Sequence, residues 1–99
     1  MLKNHTHAEV QPNLERIKSS ASLLEFADNR YTPPSPDEIK QVIDYVGLSS
    51  LQLGKELGIK DGRTVRRWKS GDAKMPYAAW RLLLVKAGLV QIETFKNAI

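Results

Sequence analysis

The stretch from Ser49 to Gly71, SSLQLGKELGIKDGRTVRRWKSG, constrains this chain more than any other, because it reads as two short helices joined by a tight turn. In the first helix, Leu53 and Leu57 lie four residues apart and are predicted to face inward together. Leu51 lies on a neighbouring row and is predicted to join them. The pattern therefore gives the first helix an apolar side and predicts a second helix packed against it.

Glycines mark the corner between the two helices. Gly54 has no side chain and is predicted to let another helix approach closely. Gly58 lies where the first helix must end, since a turn there favours a residue that tolerates a positive φ. Ile59 follows directly and is predicted to fill the corner.

The second helix is predicted to begin at Gly62 or Arg63 and to end near Ser70. Only Val65 and Trp68 are inward residues, three apart. With 100° of rotation per residue, the face opposite them is basic. It carries Arg63, Arg66, Arg67 and Ser70.

A short helix held by two apolar anchors, with guanidinium groups pointing away, suits the major groove of DNA. Arginine can donate two hydrogen bonds to guanine O6 and N7, or reach the flanking phosphates. A solvated surface helix is the simpler alternative, but the Leu-Gly, Leu-Gly-Ile, Thr-Val and Trp spacing favours DNA docking. Thr64, to the side, could contact a phosphate or a thymine methyl group. The candidate base-reading residues are therefore Arg63, Arg66, Arg67 and Thr64.

This stretch resembles the helix-turn-helix of the lambda repressor/Cro-like family of bacterial and phage regulators. The resemblance covers about residues 31–88. Within them, a subgroup from phages, prophages and other mobile elements is similar in three segments, YTPPSPDEI, TVRRWKSG and MPYAAWRLL. The resemblance implies a sequence-specific transcriptional regulator of double-stranded DNA, expected to be a repressor acting as a homodimer on paired half-sites. The matching positions are Leu53, Gly54, Leu57, Gly58, Ile59, Thr64, Val65, Trp68 and Gly71.

The turn departs from the family pattern. Gly58 and Val65 are seven residues apart, where the family usually has six. One extra residue therefore lies in the turn, and the first base-facing position falls on Asp61, Gly62 or Arg63.

In the family, the first helix of the motif begins at the DNA backbone. The resemblance therefore implies that Ser49, Ser50 and Gln52 donate to phosphates, although Ser49 is equally suited to capping its helix. Basic side chains around the second helix extend this set. The further candidate phosphate contacts are Lys60, Lys69 and Lys74.

Basic charge is concentrated on the proposed reading helix. The 99 residues carry a net charge of +4, with a calculated pI of about 9.5. Residues 60–86 hold eight lysines and arginines against two aspartates, so the remainder of the chain is net acidic. This distribution favours a polyanionic partner more than the net charge alone does.

Composition excludes several classes of protein. There is no cysteine, and hence no disulfide framework, thiolate metal site or cysteine nucleophile. No apolar run approaches the roughly 20 residues of a membrane span, and the first residues lack the apolar core of a signal peptide. The expected location is the cytoplasm of a bacterial or phage-infected cell, with no membrane partner.

The remaining segments predict an all-α fold. A helix is predicted from Pro12 to about Asn29, with Ile17 among its apolar residues, before Pro33 and Pro34 impose an extended link. Residues 1–34 are therefore interpreted as a tail, a helix and a link, and residues 35–99 as the helix-turn-helix domain.

Two further helices flank the motif. Ser35 and Glu38 form a capping box for a helix that Gly47 ends, and another helix is predicted from Tyr77 to about Ala87. Together these segments predict a compact bundle of about five helices containing a helix-turn-helix, with an additional N-terminal helix. The apolar stripe of the first of these two helices is Ile39, Val42, Ile43 and Val46.

The C-terminal segment LVQIETFKNAI has two interpretations. Leu89 and Ile92 are predicted to cover the core. Phe95 and Ile99 are left open between the core and a dimer contact.

No catalytic site is predicted, and the chain is not expected to be an enzyme. His5 and His7 lack a third ligand nearby and are read as solvent-exposed rather than metal-binding. The turn glycines lie in and between helices with no preceding strand, so they do not form a phosphate loop. No cofactor, metal or small-molecule ligand is predicted.

The alternative from another class is a protein-interaction module, such as an antitoxin or a small phage protein that uses the same fold to bind a protein. Residues 1–30 or 89–99 would then supply the partner-binding segment. Folding of either segment only with a partner would favour this alternative.

Overall fold

A computed structural model describes residues 15–92, and this part of the chain contains helices and irregular segments but no strand. Residues 15–18 are helical, and a 3-10 turn follows at Ala21–Leu23. The predicted all-α class is confirmed. Four further α-helices follow within residues 15–92, namely α1 (Pro36–Val46), α2 (Ser50–Glu56), α3 (Gly62–Ser70) and α4 (Tyr77–Lys86).

Local hydrogen bonds define the ends of α1. The Ser35 hydroxyl accepts from the backbone N–H of Glu38 at 3.1 Å, and the Glu38 carboxylate accepts from the N–H of Ser35 at 3.4 Å. This is the predicted capping box, which satisfies two otherwise unpaired donors. Gly47 ends the helix in the left-handed conformation, with φ 82°, as predicted.

All four α-helices contribute buried residues to one core. Both tryptophans belong to it: Trp80 is fully buried and Trp68 is 3% exposed. The inward position predicted for Trp68 is confirmed. The other buried apolar residues are Ile17, Ile39, Val42, Ile43, Leu53, Leu57, Val65, Met75, Leu83 and Leu84.

The segment before α1 packs on the bundle through α4. Ile17 is 3% exposed and lies in the core. The Trp80 indole Nε1 donates to the carbonyl of Ser22 at 2.8 Å, and Arg81 donates to the carbonyl of Leu23 at 2.6 Å. The indole bond is buried, so this segment forms part of the folded unit.

The predicted helix from Pro12 to Asn29 is wrong in its second half, because the helical residues end at Lys18. Ser20 is extended, and its hydroxyl accepts from the N–H of Ser22 at 3.1 Å. Serine side chains that bond nearby backbone groups compete with the helix in this way.

The chain after α4 covers the core only in part. Gly88 has φ 78°, and the N–H of Leu89 donates to the carbonyl of Leu84 at 2.9 Å, which folds Leu89 back onto the core. Ile92 is 72% exposed, so its predicted core position is wrong. Because α4 has already ended, the helical repeat does not apply to Leu89 and Ile92. Their spacing of three residues therefore does not place both side chains on the core.

Some predictions lie outside the described residues. They concern His5 and His7 near the start of the sequence and Phe95 and Ile99 near its end. Within residues 15–92, no helix is long and apolar enough to cross a membrane.

Candidate nucleic-acid interface

The turn between α2 and α3 packs directly on Gly54. A Cβ atom at Gly54 would lie 3.1 Å from the carbonyl oxygen of Asp61 and 3.2 Å from that of Ile59. The predicted close approach is therefore present, but the neighbour is the turn backbone rather than another helix. Ile59 packs against the core, as predicted for the corner residue.

Gly62 places the start of α3 against the first turn of α2. A Cβ atom at Gly62 would lie 3.0 Å from the backbone nitrogen of Leu51 and 3.2 Å from the carbonyl carbon of Ser50. Gly62 is buried in this contact. The amino-terminal ends of α2 and α3 therefore lie side by side at one surface.

Gly62→Ala is expected to lower the free energy of unfolding by about 1–3 kcal/mol, because backbone atoms must move to admit a methyl group. Arg63→Ala is the matched control, since it places alanine at the next, exposed position and should change stability by no more than about 0.5 kcal/mol. Urea unfolding of both variants tests the contact. Equal stability of the two variants would show that the contact between α2 and α3 leaves more room at Gly62 than these distances indicate.

Asp61 is one of the three residues among which the sequence left the first base-facing position open, and the structure shows that it is the N-cap of α3. Its Oδ1 accepts from the N–H of Arg63 at 3.0 Å and of Thr64 at 3.4 Å, so Asp61 caps α3. An aspartate before the first apolar residue of a helix is a known start signal that could have identified it. With this cap, α3 begins at Gly62, which is buried against α2, and Arg63 is the first exposed side chain within the helix.

The basic face of α3 is exposed, as predicted. Its anchors Val65 and Trp68 are buried at 0% and 3% exposure. Thr64 and Lys69 are half-buried at the flanks of this face. The exposed residues are Arg63, Arg66, Arg67 and Ser70.

Arg66 occupies a particular place on this face. Its Nη1 lies 3.0 Å from the position that a Cβ atom at Gly62 would take. The backbone nitrogen of Leu51 lies 3.0 Å from that same position. The guanidinium therefore lies beside the first turn of α2, between the two helices of the motif.

The start of α2 holds a second capping box. The Ser49 hydroxyl accepts from the N–H of Gln52, and the Gln52 side-chain oxygen accepts from the N–H of Ser49, each at 3.1 Å. The Ser49 hydroxyl hydrogen and the Gln52 amide hydrogens have no partner within residues 15–92. Capping and outward donation are thus compatible at both residues. Ser50, the first residue of the helix, is half-buried.

Leu51 does not face the core, contrary to the prediction, because it is 49% exposed. Leu51 and Leu53 are two residues apart, which places their side chains on opposite sides of a helix. Leu53 and Leu57 are buried, as predicted.

Lysines lie at both ends of α3. Lys60 is exposed in the turn before it, and Lys74 is exposed in the loop after it. A Cβ atom at Gly71 would lie 3.1 Å from Cγ of Pro36, so the end of α3 abuts the start of α1. The two lysines therefore add positive charge just before and just after the helix that carries the exposed arginines.

None of these cations is paired within the part of the chain that the structure describes. Elsewhere, Arg30 binds Asp28 at 2.9 Å and lowers the pKa of that carboxyl group to about 2. Lys40 pairs with Asp44 on α1, at 3.0 Å. The unpaired set is Lys60, Arg63, Arg66, Arg67, Lys69 and Lys74.

No group of three histidine, cysteine, aspartate or glutamate residues within residues 15–92 could hold a metal ion. The exposed arginines and lysines around α3 supply hydrogen-bond donors and positive charge. Such a surface recognises phosphates and acceptor-rich base edges.

No family model matches this sequence, and no solved structure matches it. Two curated relatives do, and both are called transcriptional repressor protein KorC, from Escherichia coli. One is 44% identical and the other 42% identical over 62 residues, which cover 61% of this chain and 73% of each relative. By this similarity, the chain belongs to the KorC family of transcriptional repressors.

Proposed function

We propose that this protein represses transcription by binding a specific double-stranded DNA site as a homodimer, with α3 in the major groove. The observation that carries the proposal is the row of exposed, unpaired arginines on a helix anchored by Val65 and Trp68. Membership in a repressor family supports the regulatory role. The corner between α2 and α3 supports a helix-turn-helix of the lambda repressor/Cro type.

The exposed arginines on the basic face of α3 read the bases. Arg63 and Arg67 lie one turn apart, and each can donate two hydrogen bonds to the O6 and N7 atoms of a guanine. Thr64, at the flank, contacts a phosphate or a thymine methyl group. Arg66, beside the start of α2, serves a phosphate or a base next to the backbone.

Phosphate contacts lie around these arginines. Ser49, Ser50 and Gln52 present donors at the start of α2, which lies beside the start of α3. These contacts place α3 in register but carry no sequence information. The flanking lysines, Lys60, Lys69 and Lys74, add charge at the two ends of α3.

Homodimer formation follows from the geometry of such sites. Two copies of one helix read two half-sites about one helical turn apart, so the two-fold symmetry of the protein matches that of the operator. A repressor of this kind acts on DNA in the cytoplasm of a bacterial or phage-infected cell.

Binding of the full-length protein to the DNA upstream of its own gene, against a scrambled duplex at about 150 mM salt, tests the proposal. Tight binding to the upstream DNA alone is expected. Equal, weak binding to both duplexes would contradict sequence-specific repression and favour a protein partner. Sedimentation of the complex would show whether two chains bind each site.

Ser49→Ala and Ser35→Ala form a matched pair that separates capping from DNA contact. Each removes the serine of a capping box and should lower the free energy of unfolding by about 0.5–2 kcal/mol. Only Ser49→Ala should also weaken DNA binding, by about 0.5–1.5 kcal/mol, because it removes a phosphate donor. Titrations below the unfolding temperature of both variants measure this, and equal affinities would assign Ser49 to capping alone.

A further inference from the structure

We propose that Asp61 reads a base as well as capping α3, and that it selects cytosine in the major groove. This inference rests on the proposed function. It concerns a carboxylate at the start of α3, a helix whose own charged side chains are all cations, and it assigns a sequence preference that those cations do not supply.

Asp61 is held in place through both its backbone and its side chain. Its carbonyl oxygen lies 3.1 Å from the position of a Gly54 Cβ atom, so the turn lies close against α2. Its Oδ1 accepts from two N–H groups of α3, at 3.0 Å and 3.4 Å. The second oxygen, Oδ2, therefore has a defined position relative to the helix that enters the groove.

Oδ2 has no partner within residues 15–92, and the Asp61 side chain is exposed. Lys60 and Arg63 are its neighbours in sequence, yet neither forms an ion pair with it. Capping alone does not require a carboxylate, since asparagine and serine cap helices about as well. Close to DNA, an unpaired carboxylate is repelled by the phosphates unless a donor on the DNA compensates for that repulsion.

The bases offer few such donors in the major groove. Cytosine presents its N4 amino group, and adenine presents N6 beside the acceptor N7. Guanine and thymine present acceptors, O6 and N7 or O4, which would face Oδ2 and be repelled. Cytosine is favoured over adenine because no acceptor adjoins its amino group. Attraction to one base and repulsion of the others both contribute to such a preference.

Gly62 separates Asp61 from Arg63 in the chain and is buried against α2. Asp61 and Arg63 are exposed on either side of it. Asp61 and Arg63 then address the same or neighbouring base pairs. An acceptor and a bidentate donor side by side would distinguish the two strands of a G·C pair.

The test is selection of binding sites from a random duplex library by the full-length protein and by two variants that keep the cap, Asp61→Asn and Asp61→Ser. Wild type should prefer cytosine at one position, with other bases binding about five- to tenfold more weakly, near the lower end of the usual cost of a mismatch. In Asp61→Asn, the side-chain oxygen Oδ1 still caps the helix, and an amide NH2 group, which donates hydrogen bonds, takes the place of Oδ2. That position should therefore switch to guanine or thymine, with all other positions unchanged.

Asp61→Ser caps the helix with a shorter side chain, so preference at that one position should disappear. Thermal unfolding confirms that both variants fold. If both select the wild-type site at every position, or lose preference at all positions together, Asp61 is only a cap or an anion that weakens binding generally. Failure of wild type to select any sequence would instead contradict the proposed function, so the two failures are distinguishable.

Discussion

Arg63→Ala and Arg67→Ala are each expected to weaken binding to the selected DNA site by about 1–3 kcal/mol and to relax its sequence preference. The reason is that each guanidinium is exposed on α3 and unpaired within residues 15–92, so its donors are available to a base edge. Losing a bidentate contact leaves the acceptors of the guanine unpaired in the complex. The change should appear as a lower affinity for the selected site and a smaller difference between that site and a scrambled duplex.

Lys69→Ala and Lys74→Ala supply the contrast. Each variant removes one positive charge at or near the end of α3, but as phosphate contacts they should weaken binding to all sequences alike and reduce the dependence of log K on log salt by about one. Lys40→Ala removes a charge from α1 and should leave both quantities unchanged. Equal losses on specific and scrambled DNA in the two arginine variants would assign those side chains to the backbone rather than the bases.

Trp80→Ala is expected to lower the free energy of unfolding by about 3–5 kcal/mol, the usual cost of deleting a large aromatic side chain from a core. Trp80 is fully buried, and its indole joins the segment before α1 to the helices. A domain of this size is stabilised by only about 5–15 kcal/mol, so this loss removes a large part of its margin. Urea unfolding, monitored by circular dichroism, measures the change in the free energy of unfolding.

Trp80→Phe separates the hydrogen bond from the packing. Phenylalanine keeps most of the apolar contact but leaves the buried carbonyl of Ser22 without its donor, which should cost about 1–3 kcal/mol. Leu82→Ala is the control on the same helix, because Leu82 is 38% exposed and its loss should cost less than that of Trp80. If Trp80→Phe and Leu82→Ala were both neutral, the bond to Ser22 would not anchor the segment before α1.

Local sequence alone was enough to predict the helices from α1 to α4. Ser35 and Gly47 mark the ends of α1 through hydrogen bonds and a left-handed residue that involve only near neighbours. The inward positions of Val65 and Trp68 follow from helical periodicity, and the exposed arginines follow from the same rotation. These features depend on neighbours within about one helical turn, which a linear sequence displays directly.

Helical periodicity gave wrong predictions of burial or helix length at positions where the end of a helix or a local hydrogen bond decides the structure. Leu51 is apolar but lies at the exposed start of α2, and Ile92 follows a helix that has already ended. The helix predicted to reach Asn29 stops at Lys18, because the Ser20 hydroxyl there accepts from the backbone N–H of Ser22.

Sequence by itself determined the helical class of this protein and the basic face of α3. Tertiary structure alone decided how that face is presented: Gly62 rests on the start of α2, Asp61 caps α3 against Gly54, and Ser22 accepts from Trp80 across 58 residues of chain. The physical reason is the range of the forces involved. Caps and periodicity act between near neighbours, whereas close backbone packing and buried hydrogen bonds join residues that only the folded chain brings together.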